Sequence, residues 1–330
     1  MPEFKALRIY EEENTFRRAI ETRSTDELPE GEVLIRVHFA GLNYKDALSS
    51  TGNKGVTRQY PHTPGVDASG IVEASSDARF EKGQPVICTS YDLGMNTDGA
   101  FAEYIRVPAD WVVPMPEALT LKESMVLGTA GYTAALALYK MEQSGQKPEM
   151  GKIAVTGATG GVGSMAVAIL AKAGYDVIAS TGKADAHDYL TGLGASEVVD
   201  RTAVDDDSGR PLLRPKWAGA IDTVGGNTLA TLLKACGRNG SVATCGLVAS
   251  PKLATTVFPF ILNGVNLLGV DSAETPLAIR HEIWNRLATD WNINEHLAAA
   301  TTDATLEELK DTYLDMILAG KTKGRVVVGM

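Results

Sequence analysis

Apolar residues along this chain fall into two regimes. From Phe4 to Val113 they come in short runs, among them Val33–Val37, Gly70–Val72, Pro85–Cys88 and Phe101–Val107, broken by Gly, Pro and polar turn residues. Short strands at such spacing predict a compact, partly open β-barrel. Helical periodicity sets in at Thr120–Leu127, where Thr120 and Glu123 have the spacing of a capping box, and resumes from Tyr132 to Met141. From residue 152 onward strands and helices alternate: Lys152–Thr156, Tyr175–Ser180, Glu197–Asp200, Ala220–Val224, Gly240–Cys245 and Val265–Val270 read as six strands. That alternation predicts an α/β fold, a doubly wound parallel sheet of the Rossmann type. Residues 205–216 read as an exposed polar insertion. Two helices, near 277–291 and 305–318, and a strand at Gly324–Val328 close the chain.

The first strand of the second regime runs into Gly157-Ala158-Thr159-Gly160-Gly161-Val162-Gly163, a turn almost without side chains, and then into the Ala-rich helix Ser164–Lys172. Glycine permits a tight strand-to-helix turn and lets backbone N–H groups approach a pyrophosphate at the positive end of the helix dipole. Two registers of the fingerprint fit, Ala158-x-Gly160-x-x-Gly163 and Gly161-x-Gly163-x-x-Ala166. The plain structural alternative, a βαβ turn without a ligand, is disfavoured by the complete βαβ context. Cofactor choice is decided after the next strand. An NAD site carries Asp or Glu there for the ribose hydroxyls, whereas this strand ends in Ser180-Thr181-Gly182-Lys183. The sequence therefore predicts NADPH, with Asp185 assigned to the following helical turn instead of to the ribose.

Composition narrows the partners. The 330 residues carry a net charge of −10, which argues against nucleic acid or an anionic membrane. Cys88, Cys236 and Cys245 form no C-x-x-C pair and no disulfide framework, no apolar run approaches a membrane span, and residues 1–16 lack a signal-peptide core. The expected setting is the cytoplasm. The five histidines make no ligand cluster with the cysteines, so no metal is expected. Val265–Val270 would be an apolar sheet edge, from which a homodimer is expected.

Several segments together resemble the medium-chain dehydrogenase/reductase superfamily: Leu42-Asn43-Tyr44-Lys45-Asp46, Pro64–Gly70, Gly99–Tyr104, Gly128–Ala134, the glycine turn and Ile221–Gly226. Asn43–Asp46, Asp67, Pro259–Leu262, Gly269–Ser272 and Gly324-Arg325 are similar to its zinc-free quinone-oxidoreductase branch, and within that to the NADPH-dependent acryloyl-CoA reductases. The resemblance implies a discontinuous GroES-like catalytic domain, 1–126 and 272–330, into which a Rossmann domain, 127–271, is inserted, with the active site in the cleft between them.

It also implies roles. Tyr44 would line the nicotinamide and Asn43 the substrate pocket, against the plain reading of a turn cap and a core aromatic. Asp67 and Arg325 would pair, either to position water or the substrate carbonyl or as a structural ion pair. Thr159 to Gly163, Ser180 to Lys183, Arg201, Leu247, Ile261 and Ser272 would contact the cofactor; the plain reading of Arg201 is a solvated charge. Without a Lewis acid, reduction of an activated C=C bond is the natural chemistry: hydride to the β-carbon of acryloyl-CoA or a related short enoyl-CoA, then protonation. The alternatives are a quinone or enone oxidoreductase, and an NADPH-binding sensor or structural protein without turnover. For a CoA moiety, Lys45, Lys54 and Arg58 are candidate anchors.

Overall fold

The computed structural model describes residues 2–13 and 15–330, and the chain divides into two units. The first comprises residues up to Thr129 together with Ala273–Trp284 and Ala300–Met330; the second comprises Ala130–Ser272 and Asn285–Ala299. Along the chain the strands are β1 (Glu3–Glu12), β2 (Thr15–Ser24), β3 (Val33–Gly41), β4 (Asp67–Ser75), β5 (Pro85–Thr89), β6 (Tyr104–Val107) and β7 (Val112–Pro114). The second unit holds β8 (Ile153–Val155), β9 (Val177–Thr181), β10 (Glu197–Asp200), β11 (Trp217–Asp222), β12 (Cys236–Thr244) and β13 (Asn266–Gly269). β14 (Thr301–Ala304) and β15 (Arg325–Gly329) return to the first.

In the first unit a seven-stranded sheet runs β14-β15-β3-β4-β5-β7, with β6 also paired to β3. Alternate residues of these strands, such as Val33, Ile35 and Val37 on β3, point into a core shared with Val86, Cys88, Phe101, Ile105 and Val328. The C-terminal strand is thereby sewn into the N-terminal sheet: Val327 pairs with Gly41 and Val328 with Ala40. The hairpin β1–β2 is separate, and its second strand carries no clean apolar alternation. What holds it is partly ionic: Arg8 and Arg23 reach Asp98 at 2.7 and 2.6 Å.

The second unit is a six-stranded sheet in the order β10-β9-β8-β11-β12-β13, all parallel. This is the doubly wound order, with its switch point between β8 and β11. Three helices position the residues discussed below: α1 (Tyr44–Ser50), α2 (Leu121–Gln143) and α3 (Gly161–Lys172). The capping box at the start of α2 forms as spaced, Thr120 Oγ1 accepting from Glu123 N at 3.2 Å and Glu123 Oε2 accepting from Thr120 N at 2.8 Å. α2 is two helices joined at Gly128, whose φ of 49° and ψ of −156° are non-helical. Asn285–Ala299, which the sequence grouped with the catalytic domain, packs in the second unit, where Arg286 bonds Glu142 at 2.9 Å and lies over the Trp291 ring. No helix of the described residues is long and apolar enough to cross a membrane.

Candidate functional site

In the first unit, β3 ends at Gly41 and the chain turns through Leu42 and Asn43 into α1. Asn43 is the N-cap, and its backbone N–H donates to Asp46 Oδ2 at 2.7 Å. Its side chain is fully engaged: Nδ2 donates to Asp67 Oδ2 at 2.8 Å and to the Gly41 carbonyl at 3.2 Å, while Oδ1 accepts from Arg325 at 3.0 Å. Tyr44, the next residue, points outward and is 52 % exposed.

The expected pairing of Asp67 with Arg325 is present, Nη2 to Oδ2 at 3.1 Å. Its setting alters its meaning. Asp67 is wholly buried and Arg325 nearly so. Arg325 also donates to the carbonyls of Val126 (3.1 Å) and Leu42 (2.9 Å), and Asp67 accepts from Thr129 N (2.8 Å) and Thr129 Oγ1. With these hydrogen bonds made to carbonyls, to Thr129 and to one another, the geometry matches the structural ion pair, one of the two roles that the sequence left open for Asp67 and Arg325. The pair ties the ends of β3, β4 and β15 to the first half of α2. Asn43, whose donors are likewise spent, belongs to the same clamp.

Four residues of this cluster were given no role by the sequence reading. Gly128 and Gly41 make room for it, since a Cβ on either would collide with Asp67 or Arg325. Thr129 gives its hydroxyl proton to Asp67, so Ser90 Oγ, 3.0 Å away, must donate to Thr129. Asp46 was visible only as part of a motif. It is completely buried, accepts from Asn43 N and, at 3.0 Å, from Val66 N, and its carboxyl is pushed up to about 7 by burial and by the nearby charge of Asp67, against the opposing pull of Arg325. The one available signal was an acid three residues after an N-cap Asn.

In the second unit the glycine turn separates into distinct roles. Gly157 takes φ +58°, supplying the tight turn; Gly160 is the N-cap of α3, where a Cβ would come within 3.3 Å of the Gly157 carbonyl; a Cβ on Gly163 would strike that same carbonyl. This selects the register Ala158-x-Gly160-x-x-Gly163, in which the last glycine permits close helix–strand packing and the middle one a close phosphate approach. Gly161 and Val162 open α3, half-buried, and Thr159 Oγ1 lies 3.4 Å from Thr181 Oγ1 at the end of β9. Ser180 and Thr181 are buried, and Lys183 N donates to Thr181 Oγ1 at 3.1 Å. Exposed Gly182 leaves space that Arg201 occupies: its Cδ lies 3.1 Å from where a Cβ would be. Lys183 and Arg201 thus bring two cations to the end of β9, where an NAD site has an acid, while Asp185 sits in the next short helix, Ala184–Ala186. These residues fit a 2′-phosphate.

Leu247 and Ile261 are 64 % and 67 % exposed, and Leu247 borders a cavity of about 360 Å³ at the ends of β11, β12 and β13, with Gly225, Cys245 and Val270. Ser272 accepts from Thr133 Oγ1 at 2.8 Å. Asp222, unassigned from the sequence, clamps the switch-point edge: it accepts from Thr156 Oγ1 at 2.7 Å, Gly225 N at 2.9 Å and Thr244 Oγ1 at 3.3 Å.

Comparison with known proteins follows the same division. Residues 29–117 match the alcohol dehydrogenase GroES-like domain and residues 161–289 match the zinc-binding dehydrogenase family. Zinc does not fit this chain's side chains: among the described residues no three of His, Cys, Asp and Glu converge, and the Asp67 oxygens are taken by hydrogen bonds. The chain is 46 % identical to the quinone oxidoreductase YhfP of Bacillus subtilis over 98 % of both chains, and 44 % identical to the acrylyl-CoA reductase AcuI of Ruegeria pomeroyi over 96 % of both. The structure of the yhdH oxidoreductase of Salmonella enterica in complex with NADP superposes with a TM-score of 0.95 at 42 % identity, covering 99 % of each chain. That of B. subtilis yhfP with NAD bound superposes with a TM-score of 0.97 at 45 % identity over the whole of each chain. With a GroES-like β unit carrying a buried Asn–Asp–Arg clamp, a doubly wound unit with a dinucleotide turn, and relatives this similar along its length, the chain belongs to the zinc-free quinone-oxidoreductase branch of the medium-chain dehydrogenase/reductase superfamily.

Proposed function

We propose that this protein is an NADPH-dependent reductase of activated C=C bonds, with acryloyl-CoA or a related short enoyl-CoA as substrate. The observation that carries it is the end of β9, where Lys183 and Arg201 stand in place of an acid, beside a relative named acrylyl-CoA reductase at 44 % identity. Thr159 to Gly163 would hold the pyrophosphate, Thr181, Lys183 and Arg201 the 2′-phosphate, and Leu247, Ile261 and Ser272 would flank the nicotinamide half. When bound, NADPH supplies a hydride to the β-carbon. The chain's own contribution is positional. The Asn43–Asp67–Arg325 clamp fixes the start of α1 and with it Tyr44, whose exposed ring is the group of this cluster free to meet a ligand. The enolate of the thioester left by hydride addition then takes a proton from solvent at its α-carbon.

Acryloyl-CoA-dependent oxidation of NADPH, followed at 340 nm, is the direct test. Tyr44→Ala should lower kcat/KM about tenfold or more with the fold intact; absence of turnover with any short enoyl-CoA would overturn the reading. A second reading, reduction of quinones or simple enones, is favoured by the name of YhfP, and a parallel assay with benzoquinone separates the two.

The protein is further proposed to act in the cytoplasm as a homodimer. β13 is the open edge of its sheet, and Val248, Val257, Phe258, Leu262 and Leu267 of the same unit are exposed. Light scattering should give twice the 35.0 kDa chain mass, and a monomer at micromolar concentration would refute it.

A further inference from the structure

In a chain of net charge −10, residues 33–72 stand apart. They contain two carboxylates, Asp46 and Asp67, where the average over the 41 acidic residues of the chain is about five, and four cations, Arg36, Lys45, Lys54 and Arg58. Both carboxylates are fully buried, so the stretch presents no acid to solvent. Arg36 lies on β3; the other three lie on α1 and the loop that follows it.

That loop folds back onto the helix. Thr57 N donates to the Asn53 carbonyl at 3.0 Å, the Ser49 and Thr57 hydroxyls are 2.7 Å apart, and Tyr60 OH donates to the Ser49 carbonyl at 2.6 Å. Lys45 is four residues before Ser49, and Arg58 directly follows Thr57. The two therefore belong to one helix-and-loop unit, Lys45 on α1 and Arg58 on the loop packed back against it. Their neighbour Lys54 is already occupied, bonded to Glu11 at 2.8 Å and lying over the Tyr60 ring. Lys45 and Arg58 are exposed, and neither has a carboxylate partner among the described residues. Tyr44, the exposed aromatic of the clamp, precedes Lys45.

We propose that Lys45 and Arg58 form the docking site for the phosphates of a coenzyme A thioester, and so select acyl-CoA over quinones. The inference rests on the enoyl-CoA reading above. A molecule of this net charge repels a polyanionic substrate, so capture needs a local field of the opposite sign, and here two exposed cations with no carboxylate partner among the described residues adjoin the exposed Tyr44, the neighbouring Glu11 being bonded to Lys54. Quinones and simple enones carry no phosphate and gain nothing from it.

The test uses binding, so that it does not depend on turnover. The full-length protein is titrated by calorimetry with propionyl-CoA and with propionyl-N-acetylcysteamine, which lacks the phosphates. Lys45→Gln combined with Arg58→Gln should weaken propionyl-CoA about tenfold or more, leave the short thioester unchanged and flatten the dependence of propionyl-CoA affinity on salt. Lys54→Gln, outside the site, should bind as the wild type. Equal affinity of the double variant and the wild type for propionyl-CoA would overturn the proposal, as would an equal loss for both thioesters or no binding of propionyl-CoA by the wild type. Turnover of acryloyl-N-acetylcysteamine by the wild type in any of those cases would leave the reductase reading standing while the phosphate site fell.

Discussion

Arg325 donates to Asp67 at 3.1 Å inside the first unit, joining the last strand of the chain to a residue 258 positions earlier. Because the guanidinium also serves two main-chain carbonyls, the pair works as a rivet between β3, β4, β15 and α2. Removing one partner leaves the other buried and unmatched. Asp67→Ala should therefore cost about 3–5 kcal/mol of stability, read from denaturant unfolding. Any loss of turnover should follow the loss of folded protein. A variant that unfolds like the wild type yet turns over a hundredfold more slowly would restore the catalytic role for this pair.

Gly128 offers a sharper probe of the same cluster. Its left-handed φ of 49° disfavours a side chain, and the space a Cβ would need is filled by Asp67 and Arg325. Gly128→Ala should destabilise by about 2 kcal/mol or more, through both strain and the displaced ion pair. A thermal midpoint within 1–2 °C of the wild type would show that the cluster yields easily and is no clamp.

Asp46 makes stability depend on pH. Its folded-state pKa of about 7 lies above the ordinary carboxylate value of ~3.9. The folded chain thus keeps a proton that the unfolded chain has lost between these limits. This contribution is full below pH ~4 and is lost as pH rises through about 7. Asp67 and Arg325 are the charged groups facing it, the first raising its pKa and the second lowering it. Relative to Asp46→Asn, the wild type should lose stability from pH 5 to pH 8, by an amount on the order of a few kcal/mol. Parallel stability curves for the two proteins would contradict the assignment.

At the end of β9, Lys183→Ala should weaken NADPH roughly tenfold or more in calorimetric titration while leaving NADH within about twofold. Gly182→Ala should act in the same direction, because it displaces Arg201, 3.1 Å from the new methyl group. Equal losses for both cofactors would remove the 2′-phosphate from this position.

The sequence by itself determined whatever is written in local pattern. Buried parallel strands are continuous apolar runs, and a glycine turn between strand and helix has few alternatives, so the second unit's six strands, its turn and the absence of an acid at the end of β9 were all legible. The capping box at Thr120 and Glu123 was legible for the same reason: both partners lie within four residues. The hairpin strand β2 was not, because Arg23 is held by Asp98, 75 residues away, and its charges hide the apolar alternation. Nor was the register of the glycine turn, which depends on the Gly157 carbonyl closing against Gly163.

Tertiary structure alone decided what the clamp does. The sequence could pair Asp67 with Arg325, but only the fold buries them and spends their hydrogen bonds on Leu42, Val126, Asn43 and Thr129. It likewise separates Lys54, matched by Glu11 across 43 positions, from Lys45 and Arg58, which have no carboxylate partner among the described residues. A charge or donor is free or consumed according to neighbours that are distant in the chain, and that proximity comes into being when the sheet closes.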